Sequence, residues 1–210
     1  NRRLDQLIIS VALAATDFGF YVVAMAVEAP LFFAATTIQI LLFPKIAAQA
    51  SEEGRQQVLG RYFRAGLIIV IPATIGFLIV APWLIEIVFG AAYLPAVDAA
   101  RILALSGLGF TLKTMLTTYM RASNRMKVVT LSEGAGIAVT VVALAALLPT
   151  LGLIGAAIAQ VLAFTIPALL MAFLIRRTTG LSLAGLFRFE KRDWQVFSEI
   201  TARFRRTDQA

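Results

Sequence analysis

From Phe20 to Phe43 the chain runs with a single formal charge, Glu28. As a helix rising ~1.5 Å per residue, such a run is longer than the roughly 20 residues needed to cross a ~30 Å hydrocarbon core. It opens at the turn Thr16-Asp17-Phe18-Gly19, carries Pro30 inside it and stops at Pro44-Lys45. This one stretch therefore constrains the chain to a bilayer, and it sets a carboxylate where charge is expensive.

The same apolar character recurs. Further spans are expected over 65–87, 97–119, 128–148 and 153–175, with Pro72 and Pro82 inside the first of these and Pro167 inside the last. Prolines are tolerated in membrane helices where neighbours satisfy the carbonyls they free. Ser51 is placed to cap a short amphipathic lead-in that follows a polar loop after Ala47. Before the opening stretch, Leu4 to Ala15 is too short to cross from Leu4 onward; it reads as a helix whose first half is cut away, or else as a re-entrant stub.

Loop charge orients the spans. Lys45, Arg55, Arg61 and Arg64 follow the Phe20 span, Arg121, Arg125 and Lys127 follow the fourth, and Arg176-Arg177 ends the sixth. The connections at 16–19, 90–96 and 149–152 carry no Lys or Arg. Positive charge marks cytoplasmic loops, so the expected fold is an all-α polytopic membrane protein, a bundle of about six transmembrane helices with both ends cytoplasmic. The expected division is a membrane lobe over 1–177 and a cytoplasmic tail over 178–210.

In that tail Leu186, Phe189, Trp194, Phe197, Ile200 and Phe204 recur roughly three to four residues apart among basic residues. It reads as an amphipathic helix lying on the membrane through Lys191, Arg192, Arg203, Arg205 and Arg206, or as a disordered basic topology signal. The net charge of +7 is thus assigned to lipid headgroups and not to nucleic acid. With no Cys and no His, thiol nucleophiles, His-based triads and the usual zinc sites are excluded. No cofactor or metal is expected, and no enzyme activity.

Candidate functional residues are the ionisable ones at membrane depth. These are Arg2, Arg3, Asp5, Glu28 and Lys113, read as lining a cavity because charges in spans face bundle interiors or water-filled spaces. For Lys113 snorkelling to the inner headgroups competes with the cavity. For Glu28, too deep to snorkel, a structural and a functional role stay open, with Arg2 or Arg3 as its expected ion-pair partner. Glu133, six residues from Lys127, reads as interfacial, and Asp98 with Arg101 as an interfacial pair.

The ordered series Asp5-x-Leu-Ile-Ile, Phe18-Gly19-Phe-Tyr21, Leu42-Phe43-Pro44, Ala81-Pro82-x-Leu-Ile, Phe89-Gly90-x-x-Tyr93 and Arg101-Ile-Leu-Ala resembles the polysaccharide flippases. More narrowly it is similar to the C-terminal half of a Wzx-type lipid-linked oligosaccharide flippase, in the superfamily that also holds lipid II flippases and multidrug extruders. The resemblance implies two six-helix lobes rocking around a central cavity in a bacterial inner membrane. It implies a polyprenyl-diphosphate-linked oligosaccharide as substrate, such as an O-antigen or lipopolysaccharide precursor, and Arg2, Arg3 and Lys113 as the cations that hold its diphosphate. The missing N-terminal lobe, membrane lipids and polysaccharide assembly proteins are the implied partners. The alternatives are a cation-coupled multidrug extruder using Glu28 and Asp5, or a membrane-embedded assembly or anchoring protein that works through its basic tail.

Overall fold

The computed structural model describes residues 8–11 and 13–180. Arg2, Arg3, Asp5 and the tail residues Lys191, Arg192, Arg203, Arg205 and Arg206 lie outside the described residues, as does most of the expected first helix, of which residues 8–11 are helical. Four long helices follow: α1 Ala15–Ala47, α2 Glu52–Phe89, α3 Val97–Ala122 and α4 Met126–Thr179. A 3₁₀ segment, Ala91–Ala96, joins α2 to α3. All four are long and apolar enough to cross a membrane.

The α4 helix is a hairpin of two spans. At Gly152 the backbone takes φ 52° and ψ −127°, outside the helical region and open to glycine. The arms 126–151 and 153–179 then run side by side, since the Ser132 hydroxyl donates to the Pro167 carbonyl at 3.1 Å. Near the bend the arms all but touch: a Cβ on Gly155 would sit 2.2 Å from the Leu147 carbonyl oxygen. The small residues Gly155, Ala156 and Ala157 permit that close approach. Five passes are therefore present among the described residues, and the protein is an all-α polytopic membrane protein.

Several boundaries differ from the sequence reading. The Asp17-Phe18-Gly19 turn is helical, because α1 already starts at Ala15. First-turn N–H groups need no intrahelical partner, and the Asp17 carboxylate suits the positive helix terminus. The polar stretch before the third span is not a separate lead-in but the first turns of α2, which runs unbroken from Glu52. Ser51 does cap it, its Oγ accepting from the Gly54 N–H at 3.1 Å.

Helix α3 is the axis of the bundle and packs against α1, α2 and α4. Two of the threonine hydroxyls buried on it are satisfied by their own helix: Thr111 donates to the Gly107 carbonyl at 2.7 Å and Thr118 to that of Thr114 at 2.8 Å. One apolar core fills the end nearest the basic loops, around Leu42, Phe63, Tyr119 and Ile175. A second fills the opposite end, around Tyr21, Ile85, Leu103 and Ala156. Large apolar side chains such as Phe33, Ile87 and Val142 point outward. In water that surface would drive aggregation; in hydrocarbon it is matched to its solvent.

The proline-freed carbonyl on α2 is satisfied as expected. Pro82 cannot donate to the Leu78 carbonyl one turn earlier, and the Arg101 Nε of α3 does so at 3.1 Å. Asp98 lies 3.7 Å from the same guanidinium, confirming the expected pair. At the basic end Tyr119 hydrogen-bonds Glu52. Gln56 donates to the Thr179 carbonyl at 3.2 Å, and Arg125 to that of Thr178 at 3.1 Å. These contacts gather the ends of α2, α3 and α4 on one side, so the basic connections share one face of the bundle.

Candidate functional site

Among the described residues, two clusters of polar side chains link the apolar helices inside the bundle. In the first, Glu28 of α1 is fully buried. Gln160, on the second arm of α4, donates its Nε2 to Glu28 Oε1 at 2.8 Å, while its own Oε1 accepts from the Tyr21 hydroxyl at 2.8 Å. The Ser106 hydroxyl of α3 lies 3.5 Å from Glu28 Oε2, a long contact. The amide of Gln160 thereby ties two positions of α1, one turn apart twice over, to α4. A carboxylate at this depth requires such donors, since an unsatisfied buried acceptor costs about 1–3 kcal/mol, more when charged.

The second group lies closer to the basic end. Lys113 of α3 is buried, its Nζ 2.9 Å from Glu133 Oε2 on the first arm of α4 and 5.9 Å from the centre of the Phe164 ring. The two partners differ in exposure: the lysine side chain is 9% exposed and the glutamate 37%. The ammonium is thus enclosed while the carboxylate reaches outward.

Between the two groups stand Phe32, Phe110 and Phe164. Their ring centres are 4.4 Å apart for Phe32 and Phe110, 5.6 Å for Phe32 and Phe164, and 5.3 Å for Phe110 and Phe164. Helical spacing explains the layering. Phe32 follows Glu28 by one turn, Phe164 follows Gln160 by one turn, and Ser106, Phe110 and Lys113 share one face of α3. Each helix contributes polar, aromatic and, on α3, cationic levels in the same order.

The structure brings Glu28 to Ser106 and Gln160 and brings Lys113 to Glu133; it does not bring Glu28 and Lys113 together. Lys113 turns inward to Glu133 instead of extending to the basic end. Glu133, read from sequence as interfacial, is the ion-pair partner of the buried Lys113, with 37% of its own side chain exposed. The signal was symmetry about the turn: Lys113 and Glu133 each lie ten residues from Ser123, so an antiparallel hairpin sets them at equal depth. Tyr21, Ser106 and Gln160 gave no such signal, being uncharged. A crevice beside Tyr21 and Gln160, lined also by Ile9, Thr140 and Leu144, is too narrow to admit a water molecule and so is no ligand pocket. Among the described residues no cluster of acidic side chains could hold a metal ion.

Comparison with known proteins bears on what this arrangement serves. The family model described as "Polysaccharide biosynthesis protein" matches residues 1–98. Over 200 residues the chain is 22% identical to a protein of Haloferax volcanii named "Probable low-salt glycan biosynthesis flippase". That alignment covers 94% of the chain and 42% of the relative, so the chain spans less than half the length of the protein it matches. No solved structure matches.

Proposed function

We propose that this chain is a member of the polysaccharide flippase family and forms one lobe of a transporter moving a lipid-linked oligosaccharide across a membrane, a reading supported by the family-model match and the flippase relative. The substrate is a polyprenyl-diphosphate-linked saccharide destined for cell-surface polysaccharide, and the movement is alternating access between this lobe and a second, N-terminal one. The observation that carries the reading is Lys113: a buried ammonium in an apolar bundle, with a single described carboxylate as its ion-pair partner. A diphosphate crossing hydrocarbon needs cations to offset its lost hydration, and an enclosed lysine supplies one. Arg2 and Arg3, at the start of the chain, are assigned the same task.

In this reading the basic face is cytoplasmic, the membrane is a bacterial inner membrane, and the residues past 180 lie along its surface. The protein makes and breaks no covalent bond. Glu28 favours a second reading, a cation-coupled extruder, because a fully buried carboxylate can exchange a cation for its Gln160 and Ser106 donors. Cells lacking the full-length protein separate the two. Loss of surface glycan with lipid-linked glycan accumulating inside supports the flippase, whereas intact surface glycan with raised sensitivity to cationic dyes supports the extruder.

A further inference from the structure

Glu133 has no part in the function proposed above, yet its place beside Lys113 gives it one. An ammonium buried to this degree cannot stand without a counter-charge while the site is empty. Glu133 supplies that charge at 2.9 Å from an exposed position, 37% of its side chain accessible against 9% for the lysine. Phe164 lies 5.9 Å from the ammonium and, with Phe32 and Phe110, closes the interior behind it. Glu133, the more exposed partner of the pair, thus marks the side from which an anion approaches Nζ.

Taking Lys113 as a diphosphate ligand, as the proposed function does, we infer that Glu133 is a positioning residue that holds Lys113 in the empty protein and is exchanged for a phosphate oxygen of the substrate. The ammonium then passes from carboxylate to phosphate without being left unpaired. On release the carboxylate returns and competes the phosphate away. Glu133 so sets both the readiness of the lysine and the ease of product departure, and its negative charge, left beside the bound diphosphate, keeps binding weak enough to reverse.

The test is binding of inorganic pyrophosphate to the full-length protein in lipid nanodiscs, measured by calorimetry. Glu133→Gln removes the competing charge and keeps the shape. It is expected to bind pyrophosphate about tenfold more tightly than the wild type, a difference of about 1.4 kcal/mol. Lys113→Gln is expected to lose this binding, and Glu133→Asp, which keeps the charge, to bind like the wild type. A purely structural ion pair would not change pyrophosphate affinity in this ordered way. Unchanged or weaker binding by a folded Glu133→Gln protein overturns the exchange, and if that variant unfolds, Glu133→Asp binding tenfold differently from wild type overturns it equally. Movement of a lipid-linked saccharide by wild-type proteoliposomes is scored separately, so failure of the transport reading and failure of the exchange are told apart.

Discussion

Lys113 and Glu133 meet across the α3–α4 turn, Nζ to Oε2 at 2.9 Å, because each stands ten residues from Ser123. The turn itself is short, Ser123 to Arg125, with Asn124 at φ 55°. Any shift of one residue in that turn would rotate one partner off the shared face. The pair is thus fixed by helix register as well as by charge.

That dependence makes the pair testable by charge reversal. Lys113→Glu and Glu133→Lys alone each put like charges together in a low-dielectric interior and should lower the thermal midpoint sharply. The double swap should recover most of the stability, measured by thermal unfolding in nanodiscs. Transport should not recover, because the exchanged cation is carried on a different helix and is more exposed.

Arg101 and Pro82 form a second coupled pair. Replacing Arg101 by Ala leaves the Leu78 carbonyl without its donor, at a cost of about 1 kcal/mol given the partly exposed guanidinium. Pro82→Ala returns an N–H to that turn of α2. In the Pro82→Ala background the Arg101→Ala loss should shrink toward zero, and equal losses in both backgrounds would show that the carbonyl is satisfied some other way.

The bend midway along α4 rests on glycine. Gly155→Ala places a methyl 2.2 Å from the Leu147 carbonyl oxygen and should destabilise the protein by about 1–3 kcal/mol through forced separation of the arms. Gly134→Ala, with nothing within 4 Å of the new methyl, should be neutral or stabilising by up to about 1 kcal/mol. Thermal unfolding of the two variants side by side checks the contrast.

At Glu28, Gln is expected to keep the hydrogen bonds of the buried cluster and Ala to break them. Glu28→Ala strands the Gln160 amide and should cost about 1–3 kcal/mol, whereas Glu28→Gln should unfold within a few tenths of a kcal/mol of wild type. If Glu28→Gln is stable yet slows transport of a lipid-linked saccharide, the carboxylate is functional; unaltered transport makes it a structural clamp.

Much of this architecture was written in charge and hydropathy. Lys45, Arg121 and Arg176 marked one end of the bundle because positive residues fall in alternate connections, and the turn ending at Gly152 was visible as an uncharged Pro-Thr-Leu-Gly. What hydropathy could not supply was phase. It gave the depth of Glu28 but not that the uncharged Gln160, far along the chain, would donate to it. It gave Lys113 as an interior cation but not its inward turn to Glu133, which needs two helices read together about their shared turn. The helical start at Ala15 was hidden for a similar reason, since Asp17 and Gly19 serve a turn and a first helical turn equally well.

The most direct measurement of the central claim is transbilayer movement of a fluorescent polyprenyl-diphosphate oligosaccharide in proteoliposomes of the full-length protein, wild type against Lys113→Gln. The account predicts that the wild type moves the lipid and that Lys113→Gln, folded as judged by its thermal midpoint, moves it at least about tenfold more slowly, the loss of about 1.4 kcal/mol of interaction with the diphosphate. Transport by Lys113→Gln at the wild-type rate would contradict it.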